Sequence, residues 1–124
     1  MKHAILATGL LLIFFFSCTP SDKDFNTKKI PKGIIPPDTM VIIITDLQLA
    51  EATLRELKRQ GKETAEKEIE LIGQVFAKNQ IPRKRYQESL AFYQQHLELY
   101  GKIYDQVIER LSVLQTEVVN AKEK

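Results

Sequence analysis

From Tyr86 to Val118 apolar side chains return every three or four residues without a break in phase: Tyr86, Leu90, Tyr93, Leu97, Tyr100, Tyr104, Val107, Leu111, Leu114 and Val118. A strand turns its side chains over every second residue, so this spacing commits the C-terminal region to helix. Either one long helix runs from 83 to about 120, or two helices meet near Gln95–Glu98. Gly101 is the weak point of the stripe, since glycine costs a helix interior about 1 kcal/mol relative to alanine, and a bend is expected there. The mean spacing of about 3.5 residues from Tyr100 onward suits a partner helix as well as the chain's own core.

Two further helices precede it. Met40 to Leu57 is the densest apolar stretch. Its run Val41-Ile42-Ile43-Ile44 has strand propensity and could form a short buried strand. Helix is favoured because Pro36-Pro37-Asp38 reads as a helix start, with Asp38 as N-cap, and no breaker follows before Gly61. On a helical wheel Met40, Ile43, Ile44, Leu47, Leu54 and Lys58 share one side, while Ile42 and Leu49 lie opposite. A helix apolar on two faces is expected at the centre of its domain. From Lys62 to Gln80, Ala65, Ile69, Ile72 and Phe76 recur at helical spacing, widened by Val75, and Pro82 opens the next helix. The fold class expected is all-α, three to four helices in a small bundle over residues 38–120, with 121–124 as a disordered tail.

The N-terminal segment carries an address. Lys2 precedes the mostly apolar run Ala4–Phe16, then the small residue Ser17 and the chain's single cysteine, Cys18. The run falls short of the roughly 20 apolar residues a membrane span needs and has the layout of a secretory signal. Phe15-Phe16-Ser17-Cys18 resembles a lipobox, with phenylalanine where leucine is commonest, so residues 1–17 read as a lipoprotein signal peptide and Cys18 as the lipidation site. The thiolate is the nucleophile that such a modification uses. Two or more acyl chains give stable membrane anchoring. With one cysteine no disulfide can form within the chain, and the domain must be held by its core. Residues 18–37 carry Pro20, Pro31, Pro36 and Pro37 among polar side chains and read as a flexible, disordered tether. Within it Ser21-Asp22-Lys23-Asp24-Phe25 partly resembles the acidic motif behind the lipidated cysteine of surface-exposed lipoproteins.

Composition narrows the function classes. The formal charge is +2, with five glycines and no tryptophan. A near-balanced charge gives no field for nucleic acid, and no nucleic-acid partner is expected. No His-x-x-x-His, Cys-x-x-Cys or Gly-x-Ser-x-Gly occurs, so neither a metal, a cofactor nor an enzymatic activity is expected. His96, the one histidine after the signal, reads as a cap or surface group. Glu63, Glu66, Glu68 and Glu70 with Lys62 and Lys67 read as a solvated helix face. Arg83-Lys84-Arg85 reads as a solvated turn, or as a weak contact for anionic headgroups.

Glu51 is the candidate site residue. The wheel puts it between Met40 and Ile44, in the middle of the main apolar face, where a lone carboxylate would cost several kcal/mol to bury. It is either a ligand- or partner-contacting carboxylate with a raised pKa, or a structural group bonded to a tyrosine hydroxyl or an arginine. Tyr86, Tyr93, Tyr100 and Tyr104 are the remaining candidates: they could line a partner-binding groove or pack in the core.

Pro36-Pro37-Asp38-Thr39-Met40 leading into Asp46-Leu47-Gln48-Leu49-Ala50-Glu51-Ala52 resembles the start of an uncharacterised family of small Bacteroidota lipoproteins. Ile81 to Leu90 and Ile103 to Leu111 fit the same family, and the resemblance covers about residues 30 to 112. It implies a fold and an envelope address, and it brings no reaction. The function expected is an interaction or accessory subunit, anchored to the outer membrane through Cys18 and meeting a protein partner in the envelope. The alternative is a chaperone-like peptide-binding module.

Overall fold

The computed structural model describes residues 25–123; the signal, Cys18 and the first part of the tether lie outside the described residues. A short 3₁₀ turn at Thr27–Lys29 leads to four helices: α1 (Pro37–Arg59), α2 (Ala65–Asn79), α3 (Arg83–Gln94) and α4 (Leu97–Lys122). No strand occurs among the described residues, and Val41–Ile44 is helical. The chain is all-α, as its periodicity predicts.

Each boundary has a local cause. Pro37 occupies the first position of α1, where its fixed φ suits the helix and its missing N–H is not needed. Asp38 is therefore one residue inside the helix, in the first turn, and not the N-cap; there its carboxylate favours the helix dipole. At the other end Gly61 takes φ +68°, and the Lys62 N–H reaches back to the Leu57 carbonyl at 2.8 Å. That left-handed residue closes α1 as glycine commonly does. Thr64 then caps α2, its hydroxyl accepting from the Lys67 N–H at 3.2 Å. α2 ends on Gln80 in the left-handed region, with the Ile81 N–H bonded to the Phe76 carbonyl, and Pro82 follows.

The long C-terminal stripe is two helices. The break falls at Gln95–His96, and Gly101 lies within an uninterrupted α4. Glycine does not interrupt the helix: Gly101 lies on an exposed face of α4 where an added methyl group would meet nothing within 4 Å. Instead the N–H groups of Gln95 and His96 turn back to the carbonyls of Phe92 and Tyr93 and tighten the end of α3. The His96 ring stacks on Phe92 at 4.1 Å, with Nδ1 2.7 Å from the Phe92 carbonyl. It acts as a cap on α3, one of the roles expected of it.

α1 is central, packing on both α2 and α4, while α3 packs on α4. The core gathers Met40, Ile43 and Ile44 of α1, Val75 of α2, Tyr93 of α3, and Ile103 and Val107 of α4. Each such side chain contributes about 1.5–3 kcal/mol by leaving water. α1 and α2 are also tied by Asp46, whose carboxylate accepts from Lys78 Nζ at 3.0 and 3.2 Å and from Asn79 Nδ2 at 3.0 Å.

The packed domain begins before residue 38. Ile35 has no exposed surface. Its N–H donates to Ser89 Oγ at 2.9 Å and its carbonyl accepts from the Tyr93 hydroxyl at 2.7 Å. Arg85 Nε donates to the Gly33 carbonyl, also at 2.9 Å. Residues 33–36 are thus a strap bound to α3, and the flexible-tether boundary expected at 37 is corrected to lie ahead of Gly33. The strap has neither periodicity nor length, so composition alone reads it as linker.

Candidate functional site

Glu51 is not buried. Its side chain is 51% exposed, with Arg55 Nη1 3.9 Å from Oε2 one turn on. The wheel assigned a direction correctly but not a depth: Ile44, two turns earlier on the same line, is 2% exposed. Ile44 is enclosed by its neighbours, and Leu54, beyond Glu51, is again buried at 9%; Glu51 stands between them with its carboxylate in water beside Arg55.

Tyr86 of α3 and Tyr100 and Tyr104 of α4 are all half-buried. The Tyr86 phenol is raised above its ordinary pKa by burial first, then by the negative charges of Tyr100 and Glu51. Tyr104 is raised furthest, first by the polar interaction of its hydroxyl with that of Tyr100, then by burial and by the charges of Tyr100, Tyr86 and Glu51. The rings of Tyr100 and Tyr104 meet edge to face at 4.8 Å, on consecutive turns of one helix. Tyr86 touches Phe76 of α2 at 5.5 Å, and the Arg83 guanidinium lies 5.5 Å from the centre of that Phe76 ring. Phe76, Tyr86 and Arg83 thus form one aromatic contact between α2 and α3, and Tyr100 and Tyr104 a second along α4.

Tyr93 stands apart. It is fully buried, its hydroxyl is engaged by the Ile35 carbonyl, and its pKa is raised to about 12 by burial and, less, by Asp38. That position makes it core and leaves no surface for a partner. Cys18 lies outside the described residues. From the sequence Phe76 reads as part of the α2 stripe and Arg83 as part of a basic run; only the meeting of α2 with α3 makes them neighbours.

Other surfaces are apolar. The last turns of α4 outrun the bundle, with every residue from Gln115 to Glu123 exposed and Val118 at 54%. Ile69, expected on the core stripe of α2, is 73% exposed because the first turns of that helix project past the core. A shallow groove of about 490 Å³ runs between α1 and α2, lined by Leu49, Ala50, Leu71 and Val75 and edged by Asp46 and Lys78. Among the described residues no three His, Cys, Asp or Glu side chains converge as a metal ion would require. No described helix is long and apolar enough to cross a membrane.

The model of a domain of unknown function, DUF4296, matches residues 31–117, which is most of the chain, and the chain belongs to that family. No curated protein and no solved structure matches it. The matched segment begins at Pro31, ahead of α1, and so takes in the strap that packs on α3.

Proposed function

We propose that this DUF4296 protein is a lipoprotein of the bacterial envelope, of Bacteroidota type, held to the outer membrane through Cys18 and serving as an interaction or accessory subunit. The observation behind this reading is the apolar side chains left in water on α4: Ile108, Val113, Val118 and Val119 are all exposed on a helix that continues past its own core, with Ile108 and Val119 on one face. Apolar side chains exposed along a helix end support contact with another molecule. The reading gives the protein no catalytic role. Its chemistry is that of recognition.

Crosslinking in intact cells with an affinity-tagged chain tests the reading. A defined partner should be captured, and Val118→Glu with Val119→Glu should reduce that capture while the helical signal is kept. An empty crosslink map would sink it. Cys18→Ala tests the anchor separately: lipid labelling should vanish and the protein leave the membrane fraction, with residues 33–123 still folded.

A second reading, a chaperone-like peptide-binding module, draws on the groove between α1 and α2, where the exposed Leu49 sits beside Leu71. Binding of an apolar dye that Leu49→Lys abolishes would favour it over the accessory-subunit reading.

A further inference from the structure

Leu97, Ile108 and Val119 follow one another along α4 at intervals of eleven residues. Eleven residues make three helical turns and about 20°, so the three side chains form one nearly straight row about 33 Å long. They are 75%, 61% and 49% exposed, while the buried Ile103 and Val107 turn away from them into the core. Single exposed apolar residues are ordinary on a protein surface, but a row of them along one helix is what a second molecule can cover. Gly101 stands in the same row, between Leu97 and Ile108. Glycine weakens a helix interior, yet nothing within the chain calls for it here. Its backbone is helical, and an added methyl group would meet nothing within 4 Å. What a bare position does offer is close approach, since the distance between two packed helices, about 8–10 Å, is set by the side chains at the contact.

The border of the row on the side away from the core is acidic, with Glu98, Asp105 and Glu109 all exposed along it. Lys102, its Nζ 3.6 Å from Glu98, offsets one of those three charges. We infer that this face of α4 seats an amphipathic helix of a partner protein. The partner's apolar stripe lies along Leu97, Ile108 and Val119, its backbone comes closest at Gly101, and its lysines or arginines meet Glu98, Asp105 and Glu109. A helix fits because the row is straight and long, whereas a single inserted side chain would leave most of it in water. The carboxylates select a basic partner and disfavour an anionic lipid surface. A second copy of the chain would bring the same acidic border with it. The inference rests on the reading of the protein as an interaction subunit, and it names the face used and the chemistry of what binds there.

The full-length chain in non-ionic detergent is titrated with two labelled helical peptides, and binding is read by fluorescence anisotropy. Both peptides carry leucines on one face; lysines flank that face in one and glutamates in the other. The lysine peptide should bind and saturate, and the glutamate peptide should not. Gly101→Ala should weaken binding about five- to ten-fold, as an extra methyl group at a tight contact implies, while raising the urea midpoint of the chain alone. A glycine that mattered only to folding would not move the two readouts in opposite directions. Ile108→Glu should weaken binding at least about ten-fold, with helicity kept by circular dichroism. Ile69→Glu, at a position 73% exposed on α2, should leave affinity unchanged. Equal binding of the two peptides, native affinity in Gly101→Ala or Ile108→Glu, or an equal loss in Ile69→Glu overturns the inference. So does a dimer in sedimentation that Ile108→Glu dissolves, because the face then belongs to a second copy. If crosslinking in cells still captures a partner while the lysine peptide fails to bind, the assignment of this face falls and the interaction-subunit reading stands. Binding of the peptide with an empty crosslink map has the opposite meaning.

Discussion

The strap at Ile35 and the last turns of α4 are held in opposite ways. Ile35 lies in irregular backbone, fully enclosed, with its N–H and carbonyl both bonded to side chains of α3. Val118 lies in regular helix, satisfied along its own backbone, with half its surface in water. Irregular backbone can enter a core only where side chains complete its hydrogen bonds, since each orphaned group costs about 1–3 kcal/mol. Ser89 and Tyr93 do this for the strap. A helix carries its own hydrogen bonds with it, so α4 can leave the core at no such cost and offer apolar side chains to something else. Regularity and burial are thus separate properties in this domain.

The sharpest way to break the contrast is Tyr93→Ala. It removes a fully buried ring together with the donor to Ile35, and should cost about 3–5 kcal/mol in urea unfolding. Val118→Ala, by comparison, should stay within about 0.5 kcal/mol. Similar losses at the two sites would mean that α4 is covered in solution, for example by a second copy, and the contrast would fail.

Ser89→Ala is milder. It leaves the buried Ile35 N–H without its acceptor and should destabilise by about 1–3 kcal/mol, with the strap opening first. Faster amide exchange at Ile35 than at Ile43 would show this, and equal exchange would argue that the strap does not open independently.

Gly101→Ala should act in the other direction. A methyl group there meets nothing within 4 Å and the residue is helical, so the change should add about 1 kcal/mol. A loss of stability would point to a neighbour against that face.

Alkaline pH separates the two regions again. Tyr93 ionises at about 12 in the fold against about 10 when unfolded, so the folded state holds its proton more tightly. The stability this contributes is complete below about pH 10 and is lost as pH rises through about 12, because only the unfolded chain releases the proton in that interval. Urea midpoints taken from pH 9 to 12 should fall less steeply in Tyr93→Phe than in the native chain. Parallel curves would remove Tyr93 from the account.

Much of the architecture is legible before folding. The spacing of three and four identifies the helices, the dense run at Met40–Leu57 identifies the central one, and Pro82 marks the entry to α3. The site was half legible. Glu51 stands out as a carboxylate on an apolar line, and Tyr86, Tyr100 and Tyr104 share a stripe. What each of them meets does not, because a wheel describes one helix, whereas Tyr86 meets Phe76 of α2.

By itself, then, the sequence determined helix type, helix order and the direction each side chain faces, since these follow from the local period and from capping chemistry within a few residues. Depth was decided by tertiary structure. Ile44 and Glu51 lie on one line of α1 yet end in core and in water, Ile35 is enclosed without any pattern to announce it, and Val118 is exposed despite a flawless one. Burial depends on which other elements happen to lie alongside, and those contacts join residues more than fifty positions apart, as Ile35 with Ser89 and Tyr93.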